Sequence, residues 1–473
     1  MAQINETAIK TPGVYVNEIS LFPPSVAQVE TAVPAFIGFT QLVTDSMGET
    51  LVGQPRKIFS LKEYEALYGK QESQDNIAIT VDRTTVDGTV TALTASVSLA
   101  DNAVSRYIMY PCLRHYFDNG GGPCYIVSAG ATTEAIDEPK LRNALDALQT
   151  ADEPTLIVIP EGLALSAAQY YGLMSRAVDQ CVALQDRFTI LDVHTEAANI
   201  TATIAGFRTG FAKSDNLNYA AAYYPRLRTT YEYVYDDAEV DVVISENGED
   251  PAEAVALSTL KETQTAVYNL CVSAIRNNLS LTLPPSAAMA GVYARVDGSR
   301  GVWKAPANVS VNGVQKLSAR ISDAEQANMN IDPTTGKSVN AIRSFQGKGF
   351  LVWGARTLAG NDNEWRYVSV RRLFITVEES ARKATMQFVF EPNTANTWVK
   401  LRAMLENYLT LLWRQGALAG SKPEHAFYVR CGLGQTMTAQ DILEGRLIVE
   451  IGMAAVRPAE FIILRFSHKM QES

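Results

Sequence analysis

Short apolar runs alternate with segments of helical spacing through the middle of the chain. Cys124–Ser128, Leu156–Ile159, Phe188–Val193 and Ala220–Tyr224 are compact apolar runs, and helical patterns lie between them at 140–149, 166–185 and 199–212. That alternation predicts a mostly parallel sheet covered by helices. Upstream, Ala35–Phe39 reads as a buried strand, and Leu61–Tyr68 as a helix with Ser60 as N-cap and Gly69 as its stop. Arg106–Asp118 reads as a helix that Asn119-Gly120-Gly121-Gly122-Pro123 turns into the next strand. Residues 80–104 are rich in Thr, Val, Ala and Ser around Asp87-Gly88 and predict an extended stretch or a hairpin inserted at the surface. The acidic, tyrosine-rich stretch 229–251 predicts a solvated hairpin or loop. Residues 252–280 predict one long helix with Val255, Leu260, Val267, Leu270, Ala274 and Ile275 on one side.

The last third carries the strongest patterns. Trp365–Val370 reads as a strand and Arg371–Ala384 as a helix-like run. Residues 397–415 form an amphipathic helix: Trp398, Leu401, Leu405, Tyr408 and Leu412 make its apolar stripe, and Lys400, Ala403, Asn407, Thr410 and Arg414 its polar one. Two strand-like runs follow. The first holds Leu447, Ile448, Val449 and Ile451; the second holds Phe461, Ile462, Ile463, Leu464 and Phe466. Pro458, between them, cannot donate a ladder hydrogen bond. The second run is apolar on both faces, and an open edge of that composition invites pairing with another chain. At the other end, residues 1–24 read as an arm. Val14, Tyr15 and Val16 are extended between Thr11-Pro12-Gly13 and Pro23-Pro24. Pairing within its own subunit and exchange with a neighbour are both open for this arm.

The fold class predicted is α/β, α+β overall, in several domains. Residues 1–24 form the arm, 25–345 an outer α/β body with 80–104 and 229–251 as surface insertions, and 346–473 a C-terminal domain ending in the apolar strand.

Composition narrows the function. The 473 residues are 47% hydrophobic and 19% charged, ordinary for a globular chain. A net charge of −10 argues against a general nucleic-acid binder. No apolar run is long enough to span a bilayer, so direct membrane insertion is not expected. MAQINETAIK lacks the basic and apolar regions of a signal peptide. Cys112, Cys124, Cys181, Cys271 and Cys431 are scattered and odd in number, which suits free thiols in a reducing cytosol.

Candidate chemistry is sparse. Thr335-Gly336-Lys337-Ser338 contains GKS, but Ile331 stands where a phosphate-binding loop has its first glycine, so a turn is the better reading. Cys112, His115 and Cys124 supply three ligand types with no fourth nearby, and His425 and Cys431 fit no local site. Asp192 and His194 lie two apart at a strand end, where α/β sheets place their sites. They are the alternative reading, an α/β-fold enzyme. No cofactor, metal or catalytic set is expected on the main reading.

Several passages resemble the tail sheath proteins of contractile phage tails and related contractile injection systems. They are TPGVYVNEIS near the start, FSLKEYEALYG, RHYFDNGGGPCYIV, AAMAGVYARVDGSRGVWKAPAN, KGFLVWGARTL and, most closely, GRLIVEIGMAAVRPAEFIILRF. The resemblance implies an inner α/β domain built from N- and C-terminal segments, with outer α/β domains inserted into it. It implies terminal arms that add strands to a neighbouring subunit's sheet: Val14–Val16 at one end, Leu447–Ile451 and Phe461–Phe466 at the other. It further implies stacked six-subunit rings around an inner tube, assembled in an extended metastable state and contracting on a baseplate trigger to drive the tube through a target membrane. The implied partners are further copies of this chain, homologous sheath subunits, the tube protein, and baseplate and terminal cap proteins. Such assemblies form in the cytoplasm and are in some cases released. Within the C-terminal domain a helix meets the tube through charge. Lys400, Asn407 and Arg414 are the candidates, with the turn of helix at Thr438–Glu444 equally open.

Overall fold

The computed structural model describes residues 26–74, 76–99, 106–249 and 253–464. Val14, Tyr15, Val16 and Phe466 lie outside them.

In chain order, β1 (Pro34–Thr40), β2 (Arg56–Ile58) and α1 (Leu61–Tyr68) precede the hairpin β3 (Ile77–Val86) and β4 (Thr89–Leu99). The alternating stretch is α2 (Met109–Asp118), β5 (Cys124–Ala131), α3 (Glu138–Ala147), β6 (Leu156–Val158), α4 (Ala167–Leu184), β7 (Phe188–Asp192), α5 (Ile200–Gly210) and β8 (Ala220–Tyr224). Next come β9 (Leu227–Thr229), β10 (Asp241–Glu246), β11 (Val255–Ala256), α6 (Leu257–Thr263), α7 (Thr265–Asn278), β12 (Thr282–Leu283) and α8 (Pro285–Arg300). Then follow β13 (Val309–Ser310), β14 (Val314–Leu317), α9 (Asp323–Asn330), β15 (Val339–Phe345) and β16 (Gly349–Val352). The chain continues through α10 (Val368–Thr385), α11 (Ala395–Arg414), α12 (Pro423–Ala426), β17 (Phe427–Arg430), α13 (Ala439–Leu443) and β18 (Glu450–Met453).

Two compact units result. The larger runs from Glu30 to Thr376 and resumes at Arg457. Its nine-stranded sheet has the order β13-β16-β15-β8-β7-β6-β1-β5-β2. The run from β15 to β5 is parallel, and β2, β16 and β13 are antiparallel at the edges. Every residue of β1, β6, β7 and β8 is buried, as a sheet covered on both faces requires. The small-residue helix α8 lies close on α2: a Cβ at Gly291 would sit 2.4 Å from the Tyr116 carbonyl oxygen, so no larger residue fits there. A second sheet, β11-β10-β3-β4, buries Ile79, Val81 and Val242 with Leu260 and Ile275 of α6 and α7.

The smaller unit holds Val377–Val456 together with residues 26–29. The division falls at 376/377, beyond residue 346 where the sequence pattern changes, because β15 and β16 complete the large sheet.

The expected helices and strands of the alternating middle form as read, and Asp87-Gly88 closes the hairpin with positive φ at both positions. Four expectations change. The described part of 229–251, residues 229–249, is no solvated loop: β10 pairs in parallel with β3, and Tyr231 and Tyr233 are buried. The 252–280 helix is two helices broken at Gln264, after a short strand. Trp365–Val370 is no strand; Asp362 Oδ1 accepts the Glu364 and Trp365 N–H groups, closing a turn that leads into α10. The strand expected at Leu447–Ile451 starts at Glu450 instead, and Phe461–Leu464 belong to no strand.

Candidate interface and the fate of the candidate residues

The smaller unit carries a groove of about 840 Å³ lined mainly by apolar side chains, with Arg382, Glu391 and Asn393 interspersed. The end of α10 supplies Ala381 and Thr385, the next turn Phe388, Val389 and Phe390, and α11 supplies Leu401 and Leu405. Leu447, Val449 and Ile451 form the remaining side. They are alternate residues, so an extended backbone points all three the same way. Residues 446–449 nevertheless lie outside any ladder, since extended backbone becomes a strand only when a partner takes its hydrogen bonds. β18 pairs antiparallel with β17 alone, apart from the bridge of Ala455 to Leu418. Each strand of this pair therefore has an edge with no ladder partner among the described residues. A two-stranded ribbon is marginal in water.

The groove's rim is apolar and strained. Phe390 is wholly exposed, and Met386 and Val389 are also exposed. Phe390 has φ of 69°, a conformation that a bulky side chain rarely adopts.

At the other end of the matter are Phe461, Ile462, Ile463 and Leu464, exposed by 68%, 79%, 78% and 72%. Four consecutive large apolar side chains in water are a surface that a monomer seldom keeps.

On α11, Lys400, Asn407 and Arg414 are exposed along one stripe, and neither cation has an ion pair among the described residues. Ala403 and Thr410, expected on the same stripe, are half-buried.

The enzyme-like residues are held by structural work. Asp192 Oδ1 accepts the Ser286 N–H at 2.9 Å, which caps the first turn of α8. Burial pushes the Asp192 carboxyl up to about 7, with the Ser286 bonds pulling it back. His194 turns elsewhere, its Nε2 2.7 Å from the Leu165 carbonyl and its Nδ1 2.9 Å from Thr195 Oγ1. Lys337 of the GKS turn donates from Nζ to the carbonyls of Arg208 and Phe211, at the C-terminal end of α5. His115 is buried against the Asn312 carbonyl, and burial lowers its pKa; burial also raises the Cys112 and Cys124 thiols. Cys431 is buried, while Nδ1 of His425 lies 3.4 Å from Ser421 Oγ.

One residue at the sheet's site-forming end was not visible in the sequence pattern. The strands β5-β1-β6-β7-β8 follow the order of a doubly wound sheet, whose ligands bind where the order reverses beside β1. Here Glu161 fills that place. Its carboxylate accepts the Phe39 N–H at the end of β1 and the Met109 N–H that opens α2. Gly38 makes room for it, since a Cβ there would lie 2.6 Å from Oε2. Burial pushes Glu161 up to about 8, against the pull of these backbone donors. A helix N-terminus that could hold a ligand's anion is thus closed by the protein's own side chain.

Comparison with known proteins identifies the family. A profile of the phage tail sheath protein central domain matches residues 134–358, and one of the phage tail sheath C-terminal domain matches 360–469. The helical sheath of the anti-feeding prophage, solved in the contracted state, is 32% identical with a TM-score of 0.64, covering 98% of this chain and 100% of that one. The chain belongs to the phage tail sheath protein family. The contracted PVC sheath of an extracellular contractile injection system is 31% identical with a TM-score of 0.63, covering 98% and 99%. The tail sheath protein of Burkholderia phage BcepMu is 28% identical over 197 residues, 40% of this chain and 41% of that protein. This chain thus aligns with about two-fifths of that curated relative's length. Membership makes the chain a component of a phage tail or phage tail-like particle and points to a structural, non-enzymatic role. No helix among the described residues is long and apolar enough to cross a membrane.

Proposed function

We propose that this chain is the repeating subunit of a contractile sheath, and that its smaller unit is completed by strands from neighbouring copies. The observation that carries the reading is a complementary pair within one chain. Phe461–Leu464 are exposed and belong to no strand, while the groove beside Leu447–Ile451 is largely apolar and open and includes Ile451 of β18, a strand with one edge lacking a ladder partner among the described residues. A second copy's Phe461–Leu464 is the occupant. Main-chain hydrogen bonds to the open edge give affinity, and alternate side chains enter the groove. Each large apolar side chain so buried contributes about 1.5–3 kcal/mol before ordering costs. Val14, Tyr15 and Val16 form a second arm of the same kind.

Arms of this sort hold subunits together while the bodies turn. Contraction is then a rigid-body change between two packings, driven by better contacts summed over many subunits. Stacked six-subunit rings, an inner tube met by Lys400, Asn407 and Arg414, baseplate and cap partners, and assembly in the cytoplasm complete the proposal. The sheath itself carries no catalytic centre on this reading.

The test is the full-length double substitution Phe461→Asp with Ile463→Asp, both at exposed positions. Co-expressed with tube and baseplate, it gives soluble subunit with an unchanged melting temperature and no connected sheaths under negative-stain electron microscopy. Sheaths of normal length that contract would overturn the arm reading.

A further inference from the structure

At Glu460 the chain passes abruptly from tightly held to unheld. The Glu460 carboxylate takes Arg356 Nε at 3.0 Å on Oε1 and a second Arg356 nitrogen at 2.6 Å on Oε2. Asn330 Nδ2 donates to Oε1 at 2.7 Å, and the Tyr367 hydroxyl to Oε2 at 3.2 Å. Arg356 is only 3% exposed. Its remaining terminal nitrogen is fixed by the carbonyls of Asn330 and Gly360, and its backbone is clamped by Asn340 of β15. Pro458, two residues earlier, stiffens the approach. The very next residue, Phe461, begins the exposed apolar run.

We propose that the Glu460–Arg356 pair is the fixed root of the C-terminal arm, the point at which tension on the arm enters the nine-stranded sheet. This rests on the reading of Phe461–Leu464 as an exchanged arm. The physical need is simple. If 457–460 could peel from the body, four residues would give about 13 Å of slack between neighbours, more than two strand spacings. An arm rooted that loosely would hold a partner without fixing its distance. A bidentate arginine–carboxylate pair, buried on the arginine side, resists such peeling because separation leaves a desolvated cation unmatched. Glu460 is a positioning residue: it touches no neighbour itself.

The test uses full-length Glu460→Gln and Glu460→Ala beside the arm-disabled Phe461→Asp/Ile463→Asp protein, all co-expressed with tube and baseplate. Three readouts are taken: melting temperature of the subunit, hydrogen exchange at 457–460, and sheath length before and after hydrodynamic shear. In both Glu460 variants the subunit stays folded, exchange at 457–460 accelerates, and sheaths form but break under shear into pieces shorter by about twofold or more, since many weakened links act in series. Glu460→Gln, which keeps the side chain's shape and its oxygen for Asn330, is affected less than Glu460→Ala. Wild-type sheath length after shear in both variants, with sheaths absent from the arm-disabled protein, overturns the root while leaving the arm reading intact. Normal sheaths in the arm-disabled protein overturn both.

Discussion

The larger and smaller units solve the same problem in opposite ways. In the larger one, strand backbones are paired across nine strands, both faces are covered, and buried carboxylates such as Glu161 and Asp192 sit on helix N-termini. In the smaller one, two short strands stand with open edges above an apolar groove, and a phenylalanine is held at positive φ in water. A unit of this size struggles to bury enough apolar surface by itself. On the proposed reading the assembly chemistry is divided between them, the open groove in the smaller unit and the exposed Phe461–Leu464 in the larger.

The contrast can be broken, and the largest effect is expected in the closed sheet. Ile157→Ala, at a fully buried position of β6, should lower stability by about 2–5 kcal/mol in denaturant unfolding. Val449→Ala in the groove should change the isolated subunit by less than about 1 kcal/mol yet reduce sheath formation. Equal destabilisation by the two would mean that the groove is ordinary core.

Acidity separates the units next. The Glu161 carboxyl is raised to about 8 by burial, far above the ordinary carboxylate value of about 4.3. A raised folded-state value means that its contribution to stability is fully present below the unfolded value and is lost as pH rises through 8. Asp192, raised to about 7, acts with the same sign. Denaturant unfolding of the isolated subunit should therefore weaken between pH 5 and pH 9. Glu161→Gln should flatten that decline, and an identical slope in the variant would show that Glu161 does not titrate there.

A smaller effect is expected at the groove's rim. Phe390→Gly removes a fully exposed side chain and relieves positive φ, so the subunit should be unchanged or gain about 1 kcal/mol. If Phe390 packs on a neighbouring copy, sheath yield should fall despite that gain. Least of all, Lys400→Ala with Arg414→Ala should leave the melting temperature within error. Assembly around the tube should weaken most at low salt, where unscreened charge matters. Tube-bound sheaths unchanged at any ionic strength would turn attention to the helix at α13.

The sequence determined the parts whose signal is local. Period-two and period-3.6 patterns placed β1, β5 to β8, α3 to α5 and α11 because each element must turn its apolar side inward. Ser60 and Gly69 bounded α1 because caps act within one turn. The apolar run Phe461–Leu464 was legible as a segment without an evident place in the core, and its side chains are exposed. Other assignments waited for the tertiary structure, since they depend on which chain segments meet. The acidic 241–246 became a strand because β3 offered its edge, and Tyr231 became core because the Asp118 carboxylate took its hydroxyl. Glu161, Asp192 and Lys337 have ordinary sequence neighbours; their tasks follow from helix ends that folding brings beside them, 52, 94 and 126 residues away. The same holds for Glu460, whose partner Arg356 lies 104 residues earlier and makes a firm root out of what reads in sequence as one more residue after a proline.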